Sequence, residues 1–242
     1  GRVTPDTATR RDVFSLADRR LSSPVLVVGL GRFGSSVAQT MVSRGREVLG
    51  VDSDAERVQQ YADRLTHVLQ VDTTDEEALR QIGAEEYDQA VVAIGSDIES
   101  SVLTTTILAD FGIREIWAKA ISPAHGRILE RIGAHHVVYP EADMGERVAH
   151  LVSGGMLDYF QFDDGFALAK LEVTEPLGDG PLGELRLRAR YGITVVGLRE
   201  PGGTFTYADR ETVIAPGSLI AVAGRIDDVD RLWVILTVRA DF

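Results

Sequence analysis

The sequence predicts an α/β protein in which a doubly wound parallel sheet is followed by a connecting helix and a smaller α+β domain. Three observations predict this. Short β-branched apolar runs alternate with helix-patterned stretches from Pro24 to Tyr139, the signature of successive βαβ units. A glycine-rich turn, Gly29-Leu30-Gly31-Arg32-Phe33-Gly34, stands between the first apolar run and the first helical one. Beyond residue 160 the spacing changes to strands separated by turn clusters, notably Glu200-Pro201-Gly202-Gly203.

Strands are expected at residues 25–28, 48–51, 67–71, 89–94, 116–120 and 136–139, as continuous apolar runs buried on both faces of one sheet. Crossover helices are expected at 35–43, 55–65, 75–82, 98–111 and 123–132, where apolar residues recur at three- and four-residue spacing. Residues 143–159 read as one more helix, a connector with Val148, Leu151, Val152 and Met156 on one face, weakened by Gly154 and Gly155. Past it, strands at 166–172, 193–198, 205–207 and 219–223 and two helices, at 182–190 and 227–232, complete the second domain. The organisation is therefore an N-terminal arm at 1–22, a nucleotide-binding domain at 23–142, the connector at 143–159 and a C-terminal domain at 160–242.

The 242 residues carry 44% hydrophobic and 26% charged side chains, ordinary values for a folded domain pair. A net charge of -12 repels phosphate backbones and argues against a nucleic-acid partner. The longest uncharged stretch, 212–224, contains Pro216 and Gly217 and is shorter than the roughly 20 residues a membrane helix needs. Residues 1–20 are polar, with Arg10, Arg11, Arg19 and Arg20 and no apolar core of the kind a secretory leader needs. Cysteine is absent, which excludes disulfides and thiolate chemistry and fits a reducing, cytoplasmic location.

The glycine turn satisfies G-x-G-x-x-G in the context that gives the pattern meaning, after a strand and opening a helix. Gly29, Gly31 and Gly34 allow a tight turn, close approach to phosphate and close packing, while the helix N-terminus offers unpaired N–H donors. Asp52 ends the second strand about 20 residues on, where an acid accepts from ribose hydroxyls in a Rossmann-type domain. Asp72, in Val71-Asp72-Thr73-Thr74, stands either near an adenine or, like Thr74, at a helix N-cap. Ile94-Gly95-Ser96 ends the fourth strand, where a small residue admits a ligand to the backbone. Arg32 adds a charged fork that suits a terminal phosphate and tilts the choice toward ATP and ADP over NAD(H).

The string Gly29 to Gly34, with Asp52, Ala93-Ile94-Gly95, Trp117-Ala118-Lys119-Ala120 and Tyr139-Pro140-Glu141-Ala142-Asp143-Met144-Gly145, resembles the RCK family, the regulators of potassium conductance found in Trk- and Ktr-type uptake systems. The resemblance covers about residues 24–238. It implies a non-enzymatic, cytosolic gating-ring subunit: dimers formed through the Rossmann-like domain and connector, assembled into an octamer beneath a membrane K⁺ channel subunit. It implies ATP or ADP in the N-terminal domain, held by Gly29, Gly31, Arg32, Phe33, Gly34, Asp52, Ser53, Asp72, Thr73, Ile94, Gly95 and Lys119. Glu141 is implied as a ligand of Mg²⁺ or Ca²⁺ near the terminal phosphate. For the second domain the resemblance implies a cyclic di-AMP site at Leu182, Arg188, Thr194 and Val195; Thr194 departs from the asparagine frequent in relatives.

Two other classes compete. An NAD-dependent oxidoreductase shares the glycine pattern and Asp52, but the sequence contains no Tyr-x-x-x-Lys pair and its second domain few polar clusters. A metal hydrolase needs ligand spacing that His67, His125, His135, His136 and His150 do not supply, since His135 and His136 enter a strand as neighbours and point to opposite faces. A soluble nucleotide sensor without a channel partner is the remaining alternative.

Overall fold

The computed structural model describes residues 23–154, 158–162 and 164–238, so the arm expected at 1–22 and the connector's Met156 lie outside the described residues. The described chain forms two compact units that divide between Glu141 and Ala142.

The first unit is a six-stranded parallel sheet in the order β3-β2-β1-β4-β5-β6, with β1 at Val25–Val28, β2 at Val48–Asp52, β3 at His67–Gln70, β4 at Gln89–Val92, β5 at Glu115–Lys119 and β6 at His136–Val138. Its helices are α1 (Arg32–Ser43), α2 (Ala55–Tyr61), α3 (Glu76–Gln81), α4 (Ile98–Asp110) and α5 (Pro123–Arg131). Side chains alternate across a strand, so β1 feeds two cores. Leu26 and Val28 join Leu79, Leu108, Ile116 and Leu129 on one face, while Val25 and Val27 join Leu30, Ala38 and Leu65 on the other.

Two expectations need correction here. β3 is not buried on both faces: His67, Leu69 and Gln70 are exposed, because β3 is an edge strand with a neighbour on one side only. The first helix begins at Arg32 rather than 35. Gly31 takes the extended N-cap conformation (φ -65°, ψ -172°), which glycine adopts readily, so the last three residues of the glycine motif are already helical.

His125, on α5, is 2% exposed. Its Nδ1 accepts from the Ile121 N–H at 3.4 Å, its Nε2 has no protein partner, and burial holds its pKa below the usual 6.5. A group that the fold keeps neutral binds more protons when unfolded, so its contribution to stability is whole above pH about 6.5 and is lost as pH falls below it. We expect the urea midpoint to drop from pH 7.5 to 5.5, and His125→Gln to reduce the size of that drop. Equal drops in both proteins would remove His125 as the cause.

The chain leaves the first unit through α6 (Pro140–Gly154). This helix starts and ends earlier than residues 143–159. Pro140 suits a first helical position, and Tyr159 lies instead on a strand, β7 (Asp158–Gln161). Met144, Val148 and Val152, four residues apart, are 53%, 46% and 81% exposed, an apolar stripe along one helix face. The Leu151 side chain lies outside the described residues.

The second unit is a five-stranded antiparallel sheet, β10-β9-β11-β8-β7, adding β8 (Phe166–Glu172), β9 (Thr194–Arg199), β10 (Thr206–Tyr207) and β11 (Leu219–Arg225). Its final helix, α9 (Ile226–Val238), is longer than expected and sets Val229, Leu232 and Leu236 against Ala167, Leu171, Ile220 and Val222. The helix expected over 182–190 is two short ones, α7 (Leu182–Leu185) and α8 (Leu187–Tyr191), broken at Arg186 with φ 52°. Leu185 and Leu187 are both buried; residues two apart lie on nearly opposite sides of a continuous helix, so the break lets both enter the core.

Candidate functional site

A doubly wound sheet leaves a crevice where its strand order reverses, outside the carboxyl ends of the strands. Here the reversal falls between β1 and β4, and a cavity of about 1040 Å³ opens there. Its wall takes Gly29, Gly31, Arg32 and Phe33 after β1, Asp52 and Ser53 at the end of β2, Asp72 and Thr73 after β3, Ile94 and Gly95 after β4, Lys119 at the end of β5 and Glu141 in the first turn of α6.

Gly34 is the exception among the expected ligands. It is buried beneath the loop, where a Cβ would stand 1.9 Å from the Gly29 carbonyl oxygen and 2.8 Å from the Ala93 Cβ. Its part is to let α1 close on β1. Gly29 has φ +89°, a left-handed conformation that favours glycine. No side chain caps α1, and its first turn holds no acid, so the positive end of the helix dipole faces the cavity. Arg32, the first residue of that turn, is exposed.

Asp52 is 5% exposed and held from three directions. Its Oδ2 accepts from the Leu30 N–H at 2.7 Å, its Oδ1 accepts from the Asp54 N–H at 2.9 Å, and Arg57 Nη1 stands 3.4 Å from Oδ2. The carboxylate thereby ties the glycine loop to the start of α2, and Oδ1, which accepts one bond, keeps acceptor capacity. Arg57, Gln60 and Tyr61 also line the wall and were not singled out in the sequence. The signal available was spacing: five residues past an acid that ends a strand, a first-turn arginine comes back over it.

The loop after β3 removes the helix-cap reading of Asp72. The cap of α3 is Asp75, which accepts from the N–H groups of Glu77 and Ala78; neither Asp72 nor Thr74 caps it. Asp72 accepts from the Thr74 N–H at 3.0 Å and hydroxyl at 2.7 Å, and these bonds hold its carboxyl below the usual range. Thr73 is tied to Thr104 twice: its hydroxyl pairs with the Thr104 hydroxyl at 2.9 Å, and its carbonyl accepts from that same hydroxyl at 3.1 Å.

Lys119 is nearly buried, 12% exposed, and its Nζ donates to Glu141 Oε1 at 2.6 Å. It stands 6.0 Å from the centroid of the Phe33 ring and so close over Gly95 that a Cβ there would meet its Nζ at 2.9 Å. Glu141 is 63% exposed, and Lys119, with a smaller contribution from Arg32, pulls its carboxyl below the usual range. Glu141 is thus inside the helix, not before it. Among the described residues no group of three or more His, Cys, Asp or Glu side chains gathers at one point.

Of the residues implied for a second ligand, two share one core. Val195 belongs to the core of the second unit and Leu182 packs against that core. Thr194, its neighbour on β9, points to the opposite face, and Arg188 is exposed on α8.

A glycine turn at the switch point of a doubly wound sheet, a buried acid on the neighbouring strand end and a small antiparallel unit after a connecting helix define a two-unit protein whose first part is Rossmann-like. The comparisons agree with that class. Residues 25–140 match the TrkA-N domain and residues 168–233 the TrkA-C domain. The chain is 36% identical to Ktr system potassium uptake protein C of Bacillus subtilis over 206 residues, 85% of this chain and 93% of the relative. It is 33% identical to Ktr system potassium uptake protein A of Vibrio alginolyticus, over 83% of this chain and 92% of that one. The chain belongs to the family of Ktr system potassium uptake proteins. In fold it is similar to the GsuK RCK domain, with a TM-score of 0.62 at 21% identity over 89% of this chain and 48% of that one. It also resembles a GsuK channel bound to NAD, with a TM-score of 0.61 at 19% identity over 89% of this chain and 39% of that one. Among the described residues no helix is long and apolar enough to cross a membrane.

Proposed function

We propose that this chain is a regulatory subunit of a potassium uptake system, without enzymatic activity of its own, that binds ATP and ADP in the first unit and acts on a separate membrane channel subunit. The observation that carries the reading is the exposed Arg32 on the uncapped first turn of α1, with Asp52 on the neighbouring strand end of the same cavity. A cation on a helix N-terminus favours a terminal phosphate, and the acid favours a ribose. Because a ligand shifts a conformational equilibrium only by its differential affinity for the two states, ATP and ADP can drive different states only through the phosphate end.

Assembly into dimers and an octameric ring is the second part of the proposal. It is supported by the exposed apolar stripe Met144, Val148 and Val152 on α6, which a second copy can cover. Mg²⁺ or Ca²⁺ at Glu141 belongs to the same reading, with phosphate oxygens as its further ligands. A cyclic di-AMP site in the second unit rests, in one chain, on the exposed Arg188.

Calorimetric titration of the purified protein with ATP, ADP and NADH tests the nucleotide reading. Arg32→Ala is expected to weaken ATP about tenfold, the cost of one charge-assisted contact, and ADP less. Unchanged affinity for both would remove the phosphate role, and NADH binding tighter than either would return the site to a dinucleotide. Light scattering belongs to the same experiment: a monomer at every concentration, with and without ATP, overturns the assembly.

A further inference from the structure

We propose that Lys119 is an exchangeable cation, held by Glu141 when the cavity carries no terminal phosphate and drawn to the phosphate when one arrives, so that phosphate binding releases the first turn of α6. The inference rests on the nucleotide reading above and goes beyond it by naming the residue through which the site reaches the connector.

The two ends of this ion pair are unequal. Lys119 is fixed: it is nearly buried at the end of a sheet strand and pressed over the backbone of Gly95. Glu141 is solvent-exposed and sits one residue into the helix by which the chain leaves the first unit. The ammonium lies beside Phe33, the second residue of the uncapped α1, and therefore next to where the helix N-terminus receives an anion. A terminal phosphate brings up to two negative charges and three acceptor oxygens to one donor. An exposed carboxylate brings a single charge, and its pairing is weakened by solvent. In a competition for one nearly buried ammonium, the phosphate wins.

Two consequences separate this exchange from a passive lysine. Removing the competitor must tighten phosphate-bearing ligands, and it must do so only while Lys119 is present. Removing it must also loosen the first turn of α6 without any ligand.

The test is titration of the full chain with adenosine, ADP and ATP in EDTA, for wild type, Glu141→Gln, Lys119→Met and the double variant, with amide hydrogen exchange of residues 142–146. Glu141→Gln, at an exposed position, is expected to fold normally and to bind ADP or ATP about threefold to fivefold more tightly, as loss of a partly exposed ion pair predicts. Adenosine affinity is expected to stay the same. In the Lys119→Met background the gain is expected to vanish, whereas general relief of negative charge would preserve it. Exchange at 142–146 is expected to quicken in wild type on adding ATP and to be fast already in Glu141→Gln. A wild type that binds ADP and ATP, with no gain in Glu141→Gln or with an equal gain for adenosine, overturns the exchange alone. A gain that survives Lys119→Met, or exchange that ATP leaves unchanged, does the same. A wild type that binds neither nucleotide overturns the nucleotide reading together with it.

Discussion

Gly34→Ala is expected to be the most damaging single methyl group in the first unit. The added Cβ would lie 1.9 Å from the carbonyl oxygen of Gly29, 3.1 Å from its carbonyl carbon and 2.8 Å from the Ala93 Cβ. Two of these three atoms are backbone, so no side-chain rotation relieves the contact; the helix must back away from β1. Forcing extra volume into a packed core costs about 1–3 kcal/mol, and backbone displacement puts this case at the upper end or beyond. The same movement carries Gly29, Gly31 and the first turn of α1 with it, which removes the phosphate cradle. The expected outcome is a thermal midpoint lowered by several degrees together with loss of measurable ATP and ADP binding. Gly31→Ala is the control: a Cβ there meets nothing within 4 Å, so stability should be nearly unchanged. Equal stability of Gly34→Ala and wild type would show that the loop and helix do not pack as described.

Asp52→Ala is expected to act on binding and folding at once. Deleting the carboxylate removes the proposed ribose acceptor and leaves the Leu30 N–H, now paired at 2.7 Å in a buried setting, without its partner. An orphaned buried donor costs about 1–3 kcal/mol, and Arg57 loses the closer of its two carboxylates. ATP and ADP should weaken alike, by about 10- to 100-fold, because both carry the same ribose. Comparison with 2′-deoxy-ATP separates the two effects: wild type should favour ATP over the deoxy analogue, and the variant should not distinguish them. A variant that still distinguishes them would place the ribose elsewhere.

These expectations draw unequally on sequence and on structure. The alternation of apolar runs and helical periods was enough for the parallel sheet, because strands buried between two helix layers must be apolar throughout and crossovers must be amphipathic. The glycine pattern and Asp52 were legible for a similar reason: a tight turn, a close helix and an acid at a strand end each permit few residue types. Edge position was not legible. β3 carries His67 and Gln70 where β1 is apolar throughout, but strand order itself arises from pairing between distant segments. Helix ends were misjudged where tertiary demands prevail, as at Arg186, whose left-handed backbone lets Leu185 and Leu187 share one core.

By itself the sequence determined the kind of protein this is: a Rossmann-like parallel sheet, a connecting helix and a second small domain. Only the tertiary structure decided which of the expected site residues share a wall and what they already hold. Gly34 reads like its two companions in the motif, yet it lies under the loop. Lys119 and Glu141, 22 residues apart, are both implied at the nucleotide site by the resemblance, but nothing in the sequence pairs them. Folding brings the end of β5 beside the start of α6, and a charge pair forms there because an ammonium that is nearly buried must find an acceptor.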